Sequence, residues 1–277
     1  MRNVLGALAL VLLTTLGVAA PSHGEGTLPR LPTVPEGDVA GVNDWSCRPT
    51  VRRPRPVILV HGTFGDRRHL LEDLATSMMN KGFCVFALDY GNRGTQEISR
   101  SAQQLKAFTQ RVRRATGAKK VSMVGHSQGG MMPRYYIKFL GGARHVDDLV
   151  GIAPSNHGTS HTGGDSNLIS DLVGVLCQSC TQQGAGSPFL RRLNAGDETP
   201  GRVSYTQITT RYDEVVVPHT SGYLESGPRT TNVTIQGLCR SDLAEHLFIP
   251  LSRTTVALTL DALTHRGPAR PSAELGC

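Results

Sequence analysis

Beyond its first twenty residues, the sequence has no apolar run of 18 or more residues, which a membrane-spanning helix would need. It has a single C-x-x-C pair and no second one follows it, so no metal site is indicated. The net charge of +7 comes mostly from arginine, but the basic runs at 48–56 and 111–114 are short and well separated. We therefore expect solvated surface charge, no transmembrane anchor and no nucleic-acid partner.

The first twenty residues predict a secretory signal peptide. Arg2 supplies a positive charge, residues 5–18 are apolar apart from glycine and threonine, and Val18-Ala19-Ala20 is a small-residue cleavage site. Because Pro21 follows, cleavage is expected anywhere within 20–26. Residues 21–45 are rich in proline and glycine and predict an extended arm. The sequence thus predicts a secreted, extracellular protein with one domain at 46–277.

Export makes the six cysteines candidates for disulfides. They allow many pairings, and the sequence alone does not choose among them. Cys177 and Cys180 are three residues apart, a spacing that comes within bonding reach in a turn or a helix. The same spacing also occurs in redox motifs and in half of a zinc site. The secreted context favours a structural disulfide.

Strand-like and helix-like segments alternate along the chain. Short apolar runs rich in β-branched residues predict strands buried on both faces, and the segments between them have helical spacing. The predicted strands are 57–60, 83–90, 120–125, 148–154, 203–209 and 232–238, and the predicted helices are 66–80, 95–116, 128–140 and 252–263. This order predicts an α/β protein with a mostly parallel sheet of about six strands, which binds ligands at the carboxyl ends of its strands.

Residues 155–200 interrupt this alternation. They are rich in glycine, serine, asparagine and glutamine, with one apolar island at 168–176. A segment this long between regular elements is usually functional or disordered. Two interpretations of the island stay open: a short core helix, or part of a small lid at 155–190 whose apolar face is turned toward the site.

Residues 124–132, VGHSQGGMM, contain the pattern G-x-S-x-G. The pattern alone is a weak signal in a sequence with 31 glycines. Here it follows the third predicted strand and precedes a helix, which is the context of a strained turn that exposes a nucleophile. Gly125 and Gly129 leave room for that turn. Ser127 is therefore the predicted nucleophile.

A serine hydroxyl needs a base, and the base needs an orienting acid. In this kind of fold the chain order is serine, acid, histidine, with the partners on loops after later strands. His246 follows the last predicted strand and is the predicted base. Asp213 directly follows the fifth and is the predicted acid, with Glu214 as its rival. His219 lies on the acid's own loop and ranks behind His246, and His126 is expected to point away from the serine.

The remaining catalytic part is a set of donors for the oxyanion. One predicted donor is the backbone N–H of Gln128, the residue after the nucleophile. The other is Thr63, in the segment HGTFG that follows the first strand. The Thr63 hydroxyl would add a third donor.

These segments together resemble a known family. VHGTFG, DYG, VGHSQGGMMPRYYIKFLGG, VGIAPSNHGT, YDEVVVP and the EH loop resemble secreted bacterial class 2 triacylglycerol lipases, best known from actinobacteria, from residue 45 to the C terminus. The pairing of Gly-Thr with Ser-Gln also resembles yeast lipase B. The resemblance implies a minimal α/β-hydrolase fold and no cofactor. It also implies a Ser127–Asp213–His246 triad and the oxyanion donors Thr63 and Gln128.

Cysteine placement in that family implies the pairs Cys47–Cys84 and Cys239–Cys277. These leave Cys177–Cys180 as the third pair.

We therefore expect a monomeric extracellular triacylglycerol lipase that acts on long-chain acylglycerols at an oil–water interface through an acyl-enzyme. The apolar island and Met131 and Met132 favour a lipid substrate, because flexible apolar side chains suit irregular acyl chains. One alternative is an esterase or polyester hydrolase with the same triad. The other is a non-catalytic lipid-binding protein on a hydrolase scaffold, which the complete triad disfavours.

Overall fold

A computed structural model describes residues 38–68, 71–160, 176–275 and 277. The predicted signal peptide lies outside the described residues, as does the predicted arm up to residue 37. Residues 161–175 lie outside as well, and with them most of the predicted apolar island and the middle of the predicted lid. None of the helices described is long and apolar enough to span a membrane.

A six-stranded sheet forms the centre of the described part of the chain. Its strands are β1 Val57–Val60, β2 Val85–Leu88, β3 Val121–His126, β4 Val146–Ile152, β5 Ser204–Thr209 and β6 Thr230–Thr234. All neighbouring pairs are parallel, in the order β2-β1-β3-β4-β5-β6. The predicted parallel sheet of about six strands is confirmed. The carboxyl ends of all six strands therefore lie along one edge.

The helices described cover both faces of the sheet. They are α1 Glu72–Asn80, α2 Ile98–Thr116, α3 Gln128–Phe139, α4 Gln178–Gln182, α5 Pro188–Asn194 and α6 Arg253–Thr264. A single helical turn, Gly91–Gly94, also lies between β2 and α2. Alternate residues of β1 point to opposite faces. Ile58 and Val60 pack in one apolar cluster with α2, α3 and α5, and Val57 and Leu59 pack in the other with α1 and α6.

The last strand was predicted too late in the sequence. The prediction covered 232–238, but β6 ends at Thr234 and residues Ile235–Gly237 form a 3-10 turn. The reason is the partner strand: Thr209 at the end of β5 pairs with Thr234, so later residues have no strand to pair with. The N–H groups of Leu238 and Cys239 bond instead to the Ile235 carbonyl.

The first helix also begins later than predicted, at Glu72 rather than residue 66. Asp66 caps a turn, because its carboxylate accepts the N–H of Arg68 at 3.0 Å. The Arg67 N–H bonds to Asp89 across the fold, at 2.7 Å. Side chains that bind neighbouring backbone groups compete with helix formation in this way.

Two short helices, α4 and α5, lie in the stretch predicted as irregular. The start of α5 had a local signal: Pro188 is its first residue, and the Ser187 hydroxyl caps the Leu190 N–H.

Three disulfides join the six cysteines. They are Cys47–Cys84, Cys177–Cys180 and Cys239–Cys277, the pairs implied by the family resemblance. The first ties the segment before the sheet to the residue just before β2. The last ties the C terminus to the turn after β6.

Candidate active site

Ser127 lies at the turn between β3 and α3. Its backbone has φ 55° and ψ −125°, a conformation that costs a non-glycine residue free energy and that clusters at functional sites. The glycines on either side allow this backbone conformation, because they have no Cβ. A Cβ at Gly125 would overlap the Gly129 carbonyl, and one at Gly129 would overlap the Val60 carbonyl. The turn is therefore packed so closely against β1 that larger residues would not fit.

His246 and Asp213 form a buried pair. The His246 Nδ1 lies 2.8 Å from Asp213 Oδ1 and 2.9 Å from Oδ2. The carboxylate is itself held in place, since the N–H groups of Val215 and Val216 donate to its Oδ1 at 3.0 and 2.7 Å. With Nδ1 donating to the carboxylate, the Nε2 atom of His246 is the one left to accept a proton.

Glu214, the alternative acid, and His219, the alternative base, lie in other positions. The Glu214 carboxylate lies 3.5 Å from the backbone nitrogen of His246 rather than from its ring. His219 lies in a 3-10 turn, His219–Gly222. Its burial lowers the pKa of this imidazole, against the opposing effect of the Asp213 charge.

His126 contacts His246 without replacing it. Its Nε2 donates to the His246 carbonyl at 2.8 Å, and the two ring centroids are 4.9 Å apart. His126 thus holds the backbone of His246 beside the turn that carries Ser127.

The turn after β1 packs directly on the serine. A Cβ at Gly62 would lie only 3.0 Å from the Ser127 Cβ, so any larger residue here would push against the serine. Thr63 follows at once, and its hydroxyl donates to the Gln128 Oε1 at 2.7 Å. The structure therefore brings together the ends of β1, β3, β5 and β6, which carry the five residues predicted from sequence.

His61 was not assigned a role from the sequence beyond its place in HGTFG. It is buried, its ring stacks on Tyr90 at 4.2 Å, and its Nδ1 donates to the Gly62 carbonyl at 2.7 Å. Burial lowers the pKa of His61 to about 4, so the ring is neutral near pH 7. The Tyr90 hydroxyl donates to the His61 carbonyl at 2.6 Å. Both side chains thus hold the turn that positions Thr63.

Gln183 is a second residue that sequence reasoning missed. Its Nε2 lies 3.0 Å from the Thr63 Oγ1 and 3.0 Å from the Gln128 Oε1. It comes from a polar stretch without periodicity and is 120 residues from Thr63 along the chain, so no local pattern pointed to it.

Exposed apolar side chains lie on the loops that carry the site. A soluble domain exposes single apolar residues routinely, but a group around one site marks a surface for an apolar partner. Those on the three loops after β1, β5 and β6 are Phe64, Tyr212, Val215, Leu243, Leu247, Phe248 and Leu251. This apolar surface could have been predicted from the sequence, because apolar residues flank the predicted catalytic histidine in its loop.

A family model described as lipase (class 2) matches residues 54–247. The chain belongs to the class 2 lipase family. The family predicted from the sequence is confirmed. Within the described residues, this class 2 lipase has no group of histidine, cysteine and acidic side chains arranged to hold a metal ion.

Curated relatives match this class 2 lipase over less than half of its length. Triacylglycerol lipases of Pseudarthrobacter phenanthrenivorans and Burkholderia plantarii are each 36% identical over 125 residues. The matches cover 43% of this chain, and 37% and 33% of those two relatives respectively. The chain thus matches about a third of the length of each relative.

Solved structures share the fold. Aspergillus fumigatus lipase B aligns with a TM-score of 0.68 and 24% identity, over 78% of this chain and 54% of that one. The mature form of a Bacillus licheniformis lipase aligns with a TM-score of 0.58 and 15% identity, over 79% of this chain and 95% of that one. At such identities the likeness shows the fold, and the predicted α/β-hydrolase fold is confirmed.

Proposed function

We propose that this chain is a secreted triacylglycerol lipase that uses Ser127, His246 and Asp213 as its catalytic triad. The observation that carries the proposal is the buried His246–Asp213 pair, with 2.8 and 2.9 Å from Nδ1 to the two carboxylate oxygens. It lies at the same edge of the sheet as the strained turn of Ser127. The three roles also follow the chain order expected of this fold.

The geometry supports a two-step ester hydrolysis. Ser127 attacks the ester carbonyl while His246 Nε2 takes its proton and then gives it to the leaving alcohol. Asp213 holds the ring in the required tautomer and stabilises the imidazolium. Water, activated by the same histidine, then splits the acyl-enzyme. The backbone N–H groups of Gln128 and Thr63 stabilise the oxyanion in both steps.

Three further observations support a lipid substrate and export. The exposed apolar side chains around the site provide a surface that can lie against oil. The curated relatives are named triacylglycerol lipases. Three disulfides are typical of an oxidising compartment and agree with the predicted signal peptide. The monomeric state remains a prediction from sequence.

Ser127→Ala tests the reaction class. Because the triad acts as a unit, we expect this variant to lose about 10⁴-fold or more of the rate on a soluble p-nitrophenyl ester and on triacylglycerol emulsions.

Asp213→Asn should lose about 10⁴-fold in kcat, because the amide favours the wrong tautomer of His246. Glu214→Gln is the matched control and should keep its rate, since Glu214 does not contact the ring.

A fluorophosphonate probe provides the second readout. It should label the wild-type protein at Ser127 and leave Ser127→Ala unlabelled. An unlabelled wild-type protein would favour the non-catalytic lipid-binding alternative, and substantial activity in Ser127→Ala would overturn the assignment of the nucleophile.

Leu247→Ser/Phe248→Ser tests the lipid preference. Moving each of these side chains into oil is worth about 1.5–3 kcal/mol, so the double variant should lose about tenfold or more of its rate on triolein emulsion. Its rate on a soluble short-chain ester should stay the same, because both side chains are largely exposed, at 48% and 55%, and are not part of the buried His246–Asp213 pair.

Val51→Ser is the matched control for that experiment. Val51 is 99% exposed and lies at the amino-terminal edge of the sheet, beside Lys120 and Asp147. This variant should keep both rates. If the double variant lost both rates equally or kept both, the surface would not serve lipid binding, and the esterase or polyester alternative would be favoured.

A further inference from the structure

Gln183 connects the two predicted oxyanion residues. It directly follows α4, and its side chain is buried. Its Nε2 lies within 3.0 Å of both the Thr63 Oγ1 and the Gln128 Oε1, and 3.2 Å from the Ser179 carbonyl oxygen. The amide therefore touches the side chains of both residues whose N–H groups would bind the oxyanion.

The direction of each hydrogen bond follows from the donors and acceptors present. The Ser179 carbonyl can only accept, so the atom of Gln183 that faces it is the NH2 group. The other end of the amide accepts the Ser155 hydroxyl at 2.8 Å. Thr63 Oγ1 thus accepts from Gln183 and sends its own hydrogen to the Gln128 Oε1, at 2.7 Å.

This arrangement adds a condition to the expected role of the Thr63 hydroxyl. In this structure its hydrogen is already committed to Gln128, so it must turn before it can serve as a third oxyanion donor. Such a turn would normally leave a buried acceptor unsatisfied, at a cost of about 1–3 kcal/mol. Here the Gln128 oxygen keeps its second hydrogen bond, the one from Gln183.

Gln183 also changes the hydroxyl itself. A hydroxyl whose oxygen accepts a hydrogen bond becomes a stronger donor, because chains of hydrogen bonds polarise one another. The Gln183 NH2 group supplies that bond at 3.0 Å. The NH2 group has only two hydrogens, but the Ser179 carbonyl already accepts the backbone N–H of Gln183 at 2.9 Å. The two hydrogens can therefore serve Thr63 Oγ1 and Gln128 Oε1, so that one amide polarises the Thr63 hydroxyl and keeps a hydrogen bond on the acceptor that the hydroxyl leaves.

The segment that carries Gln183 is firmly anchored. The Cys177–Cys180 disulfide closes its turn, and the Ser179 hydroxyl donates to the Gly94 carbonyl at 2.6 Å. The Thr159 N–H bonds to the Gln183 carbonyl at 3.0 Å. Catalytic geometry needs this kind of support from residues whose own positions are fixed.

We propose that Gln183 is a positioning residue of the oxyanion hole, which prepares the Thr63 hydroxyl to become the third donor in the transition state. The inference rests on the proposed function, because an oxyanion forms only if Ser127 attacks an ester. Gln183 acts through Thr63 and contacts no reacting atom.

A double-mutant cycle tests the coupling. Thr63→Val removes the hydroxyl but keeps the backbone N–H, and should lower kcat on a soluble p-nitrophenyl ester by about 10²-fold. Gln183→Leu alone should lower kcat about tenfold with little change in KM, because only the transition state carries the oxyanion. The double variant should be no slower than Thr63→Val. Losses that multiply in the double variant would overturn the proposal.

Gln183→Glu supplies a readout that a structural role would not change. A carboxylate cannot donate and would capture the Thr63 hydrogen, whereas the protonated acid can donate as the amide does. The ratio of the variant's kcat to the wild-type kcat should therefore rise as the pH falls through the pKa of the new carboxyl group. A ratio that does not change with pH would overturn the proposal.

Gln178→Leu is the matched control, since Gln178 is the exposed first residue of the same short helix. It should keep kcat, and equal losses in Gln178→Leu and Gln183→Leu would contradict a specific role. The two proposals fail differently. A wild-type protein that does not hydrolyse esters would refute the function, while an active wild type with multiplying losses would refute only the role of Gln183.

Discussion

At the scale of single residues, this protein has positions whose backbone conformation or burial costs folding free energy. Ser127 has a backbone conformation that most residues avoid, and it is tolerated because Gly62, Gly125 and Gly129 let the backbone pack around it. The sequence predicted this turn, because glycines at fixed spacing on both sides of a serine, between a strand and a helix, are typical of a strained turn that exposes a nucleophile. It did not point to Gln183, whose partners come from two other loops.

Asp148 also occupies a position that costs folding free energy, because its carboxyl group is buried. It lies near the amino-terminal end of β4, whereas the proposed triad lies at the carboxyl ends of the strands. It is 2% exposed, accepts the Ser122 hydroxyl at 2.7 Å and lies 3.7 Å from the Arg55 guanidinium. Burial raises its pKa from 3.8 to about 7. Between those values the folded protein holds a proton that the unfolded chain releases, so this residue's contribution to stability is lost as the pH rises through about 7.

Asp148→Asn removes this pH dependence. The neutral amide still accepts the Ser122 hydroxyl, so the Tm of the variant minus that of the wild type should increase from pH 5 to about pH 7, by an amount worth a few kcal/mol. It should level off at higher pH, where Asp148 is ionised in both the folded and the unfolded wild type. Thermal unfolding by circular dichroism across that range measures it. Asp147→Asn is the control: it loses ion pairs to Arg55 and Lys120 and should lower the Tm with a much weaker trend, since the Asp147 charge contributes less to the raised pKa of Asp148 than burial does. A difference independent of pH would contradict a buried carboxylate that titrates near neutrality.

At the scale of elements, the loop between β6 and α6 decides where His246 lies. Its fixed points are side chains that bond to backbone groups. Gln236 Nε2 donates to the Asp242 carbonyl at 2.9 Å, and the Thr210 hydroxyl donates to the Ala244 carbonyl at 2.7 Å. Ser252 joins this set, because its hydroxyl donates to the Asp242 carboxylate and caps the Thr255 N–H of α6.

Ser252→Ala should therefore loosen both the helix and the loop. Loss of an N-cap costs about 1–2 kcal/mol, which lowers the Tm by several degrees in a domain of this size. We also expect a modest loss of kcat, since Asp242 loses a partner four residues before His246. Differential scanning calorimetry and the soluble-ester assay measure the two effects. Ser272→Ala, at an exposed position near the C terminus, should change neither. An unchanged Tm in Ser252→Ala would show that the cap does not stabilise α6.

Elements with strong periodicity were predictable, and those that depend on partners were not. The strand at 57–60 and the long second helix had clear patterns and lie where expected. The end of β6 is set by the length of β5, which the residues of β6 do not encode. The short α4 is closed by a disulfide and bonded to the 94–95 turn, so contacts distant in sequence stabilise it rather than its own composition.

At the scale of the whole molecule, the three disulfides constrain the chain unequally. Cys47–Cys84 and Cys239–Cys277 close segments with sequence separations of 37 and 38, while Cys177–Cys180 has a separation of 3. In the chain-entropy description, a longer closed loop restricts the unfolded state more.

Pairwise replacement of each disulfide by serines tests this ranking. Removal of either long-range disulfide should cost about 4 kcal/mol of unfolding free energy, and removal of Cys177–Cys180 about 2 kcal/mol. Urea unfolding of the three double variants, each compared with the wild type, measures the costs. An equal or larger cost for Cys177–Cys180 would show that this disulfide stabilises the folded state by holding α4 rather than by restricting the unfolded chain.

The sequence by itself determined the parallel sheet, the family and the order of the candidate triad, because buried strands need continuous apolar runs and a strained serine turn needs small neighbours. Both signals are local, so a single sequence carries them. Only the tertiary structure decided that the His246 ring bonds to Asp213 rather than to Glu214, that Gln183 joins Thr63 to Gln128, and that the loops with exposed apolar side chains lie at one edge of the sheet. These relations depend on distances between segments far apart in the chain, which are settled only when the strands pair and the loops at their carboxyl ends meet.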